Sequence, residues 1–219
     1  MSFYEMMTVT FLSLLPIVNP VGMATFFLSM TDHLSPEERH RTAYMVAFNS
    51  FVLLCCVLFF GRAVLEVFGL TLPFIRIAGG LLVAFTAWQM LNIAPRLTKQ
   101  ESEEHKMRET GKQMAFFPLT LPLTAGSGAI AITVALAVDI PTKITMHSTS
   151  MYLGAVAGIL GMSILIAVCY RFGDYLLAKL GTTGSNVVTR LSAFILMAIG
   201  MQVMWNGIMP LLVMIKDAK

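Results

Sequence analysis

The sequence predicts an all-α integral membrane protein of six transmembrane helices, arranged as two inverted three-helix repeats with broken first and fourth helices. Three observations lead there. Of 219 residues, 57% are apolar and 12% charged, against roughly 45–50% and about 25% in an average soluble domain, and the mean hydropathy is +0.77. The charges fall almost wholly between six uncharged runs, each near the roughly 20 residues that cross a bilayer. A Pro- and Gly-rich segment recurs in both halves at matching spacing. So few charged side chains could not cover this much apolar surface in water, and a scattered net charge of +3 is no nucleic-acid footprint. Cys55, Cys56 and Cys169 lie inside apolar runs at spacings that suit neither a disulfide framework nor a metal site, and read as small buried hydrophobes.

The first run covers residues 6–30. It has no basic leader and Glu5 stands before it, so it is expected to stay in the mature chain rather than be cleaved as a signal. Ser35-Pro36-Glu37-Glu38 then predicts a helix start, with Ser35 as N-cap, Pro36 at the first helical position and Glu38 closing a capping box. The second run, 43–61, follows within that helix. The third is 77–95, opened by Arg76. Residues 96–112 hold five basic and four acidic side chains around His105 and read as a solvated linker between repeat one (1–95) and repeat two (113–219). Runs at 113–138, 144–170 and 191–215 complete the count. Lys and Arg number ten in the first, third and fifth loops against five on the other side. The positive-inside rule therefore puts the linker in the cytoplasm and both termini in the periplasm.

The internal repeat carries the functional reading. Leu15-Pro16, with Gly22 six residues after the Pro, lies over Leu121-Pro122 with Gly128 at the same spacing, and Arg76 and Arg190 each open the last span of a half. Three spans per repeat is odd, so the second copy is inverted, the plan of many secondary transporters. Pro16, Asn19, Pro20 and Gly22 are expected to unwind the first span, and Pro118, Pro122, Gly126 and Gly128 the fourth. Freed backbone groups cannot face lipid, so paired breaks point to a buried or wet site. One Pro kink alone would mean only a bend; the pairing favours function.

Nearby polar groups are Ser13, Asn19, Thr25, Thr120, Thr124 and Ser127, with no acid or base at mid-span. The candidate substrate-binding residues are Asn19, Pro20, Gly22, Thr124, Gly126, Ser127 and Gly128. Half-helix N-termini would receive a carboxylate, while freed carbonyls and the Asn19 amide would receive an ammonium, so the expected substrate is a small neutral amino acid. Arg76 and Arg190 read either as interfacial anchors or as gates on opposite faces. No cofactor is expected; coupling to a proton or sodium ion stays open, as does a homo-oligomer. A small-solute channel is the first rival, since Asn19-Pro20-Val21 is similar to the Asn-Pro-Ala half-helices of aquaporins. An enzyme is the second, but Ser127 with His147 is its only dyad, and neither a GxSxG elbow nor a His-Glu-x-x-His motif occurs.

The segments Asn19-Pro20-Val21-Gly22, Arg76-Ile77-Ala78-Gly79-Gly80 and Pro118-Leu119-Thr120-Leu121-Pro122-Leu123-Thr124-Ala125-Gly126, in this order and over essentially the whole length, resemble the MarC family of bacterial inner-membrane proteins. The resemblance implies a six-helix protein distantly related to the lysine-exporter superfamily, and an archaeal relative is described as a small neutral amino acid transporter. The family often has Gly-Pro-Gly where this chain has Gly126-Ser127-Gly128, so the second break is expected to be the milder one.

Overall fold

The computed structural model describes residues 2–69, 71–92, 111–117, 119–141 and 145–217. Among them there are helices and turns and no strand. Most of the charged linker, together with Pro118 and Lys143, lies outside the described residues, as do the side chains of Thr25, Pro122 and Ser127. Helix α1 spans Phe3–Val18 and α2 Pro20–Met30, and the two are bent by 42° at Asn19. Helix α3 runs from Pro36–Val67 and α4 from Leu72–Asn92. A short α5, Gly111–Phe116, leads into a π-helical turn at Leu119–Thr124 and then α6, Ser127–Asp139. Helix α7 is Met146–Arg171, and α8, Gly173–Asp217, is interrupted at Gly181, whose φ of 63° lies in the left-handed region.

Local chemistry explains the starts. The Ser35 hydroxyl accepts from the Glu38 N–H while Glu38 reaches back to the Ser35 N–H, with Pro36 at the first helical position, as the sequence predicts. Thr145 and Ser148 form the same reciprocal cap on α7. Helices α3, α7 and the Ala193–Met214 part of α8 are each long and apolar enough to cross a membrane, and α1 with α2 makes a fourth span if the bent pair counts as one. Large apolar side chains such as Phe48, Phe60, Phe85, Leu153, Ile164 and Phe194 point outward. In water that surface would be a liability; in hydrocarbon it costs nothing. Cys169 is buried as expected, whereas Cys56 lies on this outer face, because the apolar run is apolar all round and periodicity does not choose its inner side.

Without a hydrophobic drive between helices in lipid, small residues decide where backbones meet. Helix α4 packs along α8 more extensively than any other described pair. A Cβ on Gly80 would stand 2.5 Å from the Gly200 carbonyl oxygen and the Met204 nitrogen. Gly207 faces Pro73 and Arg76, so the two helices run antiparallel. Gly154 and Gly158 of α7 lie on Phe3, Met7 and Thr10, which makes α1 and α7 parallel. Helix α6 packs on α4 in the opposite sense, with Gly79 against Ala131 and Gly128 against Val83, and on α3 through Gly61 and Val134.

Candidate functional site

The first break is one residue wide. Helix α1 continues through Pro16, and only Asn19 leaves the helical region, with φ 41° and ψ 58°. Asparagine tolerates this left-handed conformation better than most residues. It serves as C-cap of α1, its N–H donating to the Leu15 carbonyl, and as N-cap of α2, its Oδ1 accepting from the Gly22 N–H at 3.2 Å. The expected unwinding from Pro16 to Gly22 is thus a sharp bend instead, because Pro16 sits in α1 and Pro20 at the first position of α2, where its missing N–H does little harm. Proline still removes donors from the preceding turn. Pro16 leaves the Leu12 carbonyl without its i+4 partner, and Pro20 does the same to Pro16.

Asn19 is 4% exposed. Since Oδ1 must face the Gly22 N–H, the other end of the amide is Nδ2, which is buried and has no hydrogen-bond partner. The unspent Nδ2 is a donor, while Oδ1, accepting from Gly22, keeps a second lone pair. A cavity of about 350 Å³ opens at this bend, lined by Leu12, Leu15, Pro16, Asn19, Pro20 and Val21 and closed opposite by Ile195 and Ile199 of α8.

The second break is the wider one, not the milder. Leu121 leaves the helical region, Thr120 and Thr124 each donate their hydroxyl to a carbonyl five residues back, Ala115 and Leu119, and Gly126 is extended before α6 begins at Ser127. The loss of one Pro is offset by the π turn, in which threonine back-bonding holds the longer loop. No side chain caps α6. The Ile130 N–H returns to Gly126, which leaves the first-turn N–H groups of Ser127, Gly128 and Ala129 without an intrahelical acceptor at a helix start where Gly128 and Ala129 are buried. Gly128 comes up against Ile17, two residues before Asn19, so the two breaks adjoin. The cavity itself, however, is lined by the first break and α8; Gly128 against Ile17 and Val83 fills the space between the breaks.

Two side chains that the sequence did not single out belong to this region. Tyr170 is fully buried, stacks on Phe27 with ring centroids 4.6 Å apart, and lies 2.9 Å from the Thr124 hydroxyl. A tyrosine beside Arg171 at a span end looks like an interfacial residue, which hid it. At the opposite end of the spans Arg76 is ion-paired with Asp139, and Arg62 donates to the Ile140 carbonyl while pairing with Glu66. Arg190 is exposed and makes no ion pair among the described residues. His147 is exposed in the first turn of α7, whereas Ser127 starts α6 twelve residues, roughly 18 Å, before its Asp139 end.

The sequence model described as MarC family integral membrane protein matches residues 4–212. The chain belongs to the MarC family. A "UPF0056 membrane protein" of Buchnera aphidicola subsp. Schizaphis graminum is 34% identical over 90% of this chain and 89% of its own length. The "UPF0056 inner membrane protein MarC" of Salmonella paratyphi B and that of Salmonella typhimurium are each 30% identical over 91% of this chain and 92% of theirs. No solved structure matches. As a MarC family member the chain is an integral membrane protein, and its helices carry the apolar exterior this requires.

Proposed function

We propose that this MarC family protein is a multi-pass inner-membrane secondary transporter that moves small neutral amino acids, with export as the direction, by alternating access at the paired breaks. The observation that carries the reading is the buried, unpartnered Asn19 Nδ2 at the first break, together with the uncapped start of Ser127–Asp139 at the second, where Gly128 meets Ile17. Both are donors held away from water, and an unmade buried hydrogen bond costs about 1–3 kcal/mol until a ligand supplies the acceptor. A substrate carboxylate is such an acceptor, and the Leu12 and Pro16 carbonyls, which lack their i+4 donors, are the groups proposed to receive the ammonium.

The six-span inverted repeat belongs to the same proposal. Its support is in the packing. Ala43, Val46, Ala47, Ser50, Leu54 and Leu58 are the buried side of α3, and Met151, Gly154, Ala155, Gly158, Met162 and Ile166, each 108 positions later, are buried in α7. The packing of α1 on α7 has its mate in α3 on α6, and that of α4 on α6 has its mate in α8 on α2. Under this repeat, Arg76 and Arg190 stand at opposite ends as alternate gates, the first engaged with Asp139 and the second unpaired among the described residues, with the linker cytoplasmic and both termini periplasmic. The purified protein in liposomes should exchange labelled glycine, alanine, serine or threonine with saturating kinetics. No flux of any of the four would overturn the reading, and flux that fails to saturate would indicate a channel.

A further inference from the structure

Tyr170 touches both broken spans at once. Thr124 has a single hydroxyl proton, and it is given to the Leu119 carbonyl at 2.7 Å, so the 2.9 Å contact with Tyr170 is donated by the phenol. The ring face lies on Phe27, in α2 beyond the first break, while its hydroxyl holds the last residue of the π turn before the second. Phe27 comes late in its span, Thr124 early in one running the other way, and Tyr170 ends α7, so all three lie on the same side of the breaks, near the 31–35 loop. Both Phe27 and Tyr170 are fully buried. The opposite end is held differently, by the charged contacts of Arg76 with Asp139 and of Arg62 with Ile140.

We propose that Tyr170 is a latch: its stack on Phe27 and its hydrogen bond to Thr124 tie the two broken spans together and close the site from the side of the 31–35 loop. The latch deepens the transport reading and rests on the breaks being the site. One phenol bond and one ring stack are small enough to break and remake in each cycle, and swinging the ring away would separate α2 from the π turn, exposing the α6 start on that side only. A merely structural tyrosine would instead loosen the protein without regard to side.

The test uses a chain with Cys55, Cys56 and Cys169 replaced by Ala and one reporter cysteine introduced, either Ala125→Cys at the second break or Ala137→Cys near the far end of α6; both positions are fully buried. The full-length protein in vesicles is labelled with a membrane-impermeant methanethiosulfonate applied to the 31–35 side. Tyr170→Phe keeps the stack and removes the donor; Thr124→Val, at nearly equal volume, removes the acceptor together with the back-bond to Leu119. Tyr170→Phe should speed labelling at position 125 by about 2- to 10-fold, as expected for one hydrogen bond, and Thr124→Val by at least as much, with the double variant no faster than Thr124→Val alone and position 137 unchanged. Tyr170→Phe and Thr124→Val leaving position 125 at the parent rate, or raising positions 125 and 137 together, overturns the latch. If labelling responds as expected but no neutral amino acid is moved, the latch stands and the substrate reading falls.

Discussion

Asn19 has three separable duties, and three substitutions pull them apart. Its backbone is left-handed, its Oδ1 caps α2 through Gly22, and its Nδ2 is a buried donor without a partner, which the proposed reading assigns to substrate. Asn19→Ala loses the cap and the amide and keeps a Cβ in the left-handed region without the side-chain bond that helps Asn there, so the variant should be about 1–2 kcal/mol less stable. Asn19→Gly accepts the backbone at no steric cost and, as an N-cap, falls short of Asn by only a few tenths of a kcal/mol. It still removes Nδ2. A hydrogen bond to a charged group contributes about 1.5–3 kcal/mol, so Asn19→Gly should raise the KM for a neutral amino acid about 10- to 150-fold while the protein unfolds near the parent temperature. Asn19→Asp retains cap and backbone but turns the donor into an acceptor, and it should lose transport altogether. The assays are initial rates in proteoliposomes and thermal unfolding in detergent. A KM for Asn19→Gly within twofold of the parent would remove Nδ2 from the site, and an Asn19→Gly protein as unstable as Asn19→Ala would refute the capping argument.

Other substitutions probe the frame and the ends. Gly80→Ala forces a Cβ to within 2.5 Å of backbone on α8 and should cost about 1–3 kcal/mol or more, whereas Gly79→Ala meets only the Ala131 side chain at 3.1 Å and should be far milder; equal unfolding temperatures would contradict the packing. Ile199→Trp fills the cavity wall opposite Asn19 and should abolish transport in protein that still purifies as a folded species, and undiminished rates would exclude the cavity from the path. Arg76→Gln breaks a half-exposed ion pair, so stability should fall by under about 1 kcal/mol; a gate predicts a several-fold change in transport rate on top, an anchor predicts none. A phosphatase fused to the C-terminus should be active if that end is periplasmic, and an active cytoplasmic reporter there would reverse the orientation.

Helices were legible because lipid simplifies the code: uncharged runs of about 20 residues are where helices form, and among the described residues three of them, or four with the bent first pair, are long and apolar enough to cross a membrane. Their inner faces were not legible, for the same reason. Cys56 and Cys55 are neighbours in one apolar run, yet only contact with other helices decides which points outward. Both breaks were legible from Pro and Gly, but their widths were reversed. Pro removes a donor at a known place, and a chain can absorb that in one left-handed residue, as at Asn19. The π turn at Leu119–Thr124 depends on hydroxyl back-bonds from Thr120 and Thr124, which a reading based on Pro and Gly passes over.

The side chains at the site show the same limit more sharply. Asn19 was named from sequence, but an amide has two ends, and only the Gly22 N–H shows that the donor end is the one left without any partner. Tyr170 was not named at all, since its partners Phe27 and Thr124 are distant in the chain. A neutral site of this kind has no ionised residue to announce it. What marks it is an inventory of backbone and amide groups left without partners, and that inventory exists only once the turns on either side have been built. The donors at Asn19 and at the α6 start can therefore be told from ordinary caps only by what they fail to bond, and it is on that ground that the proposed reading offers them to a carboxylate.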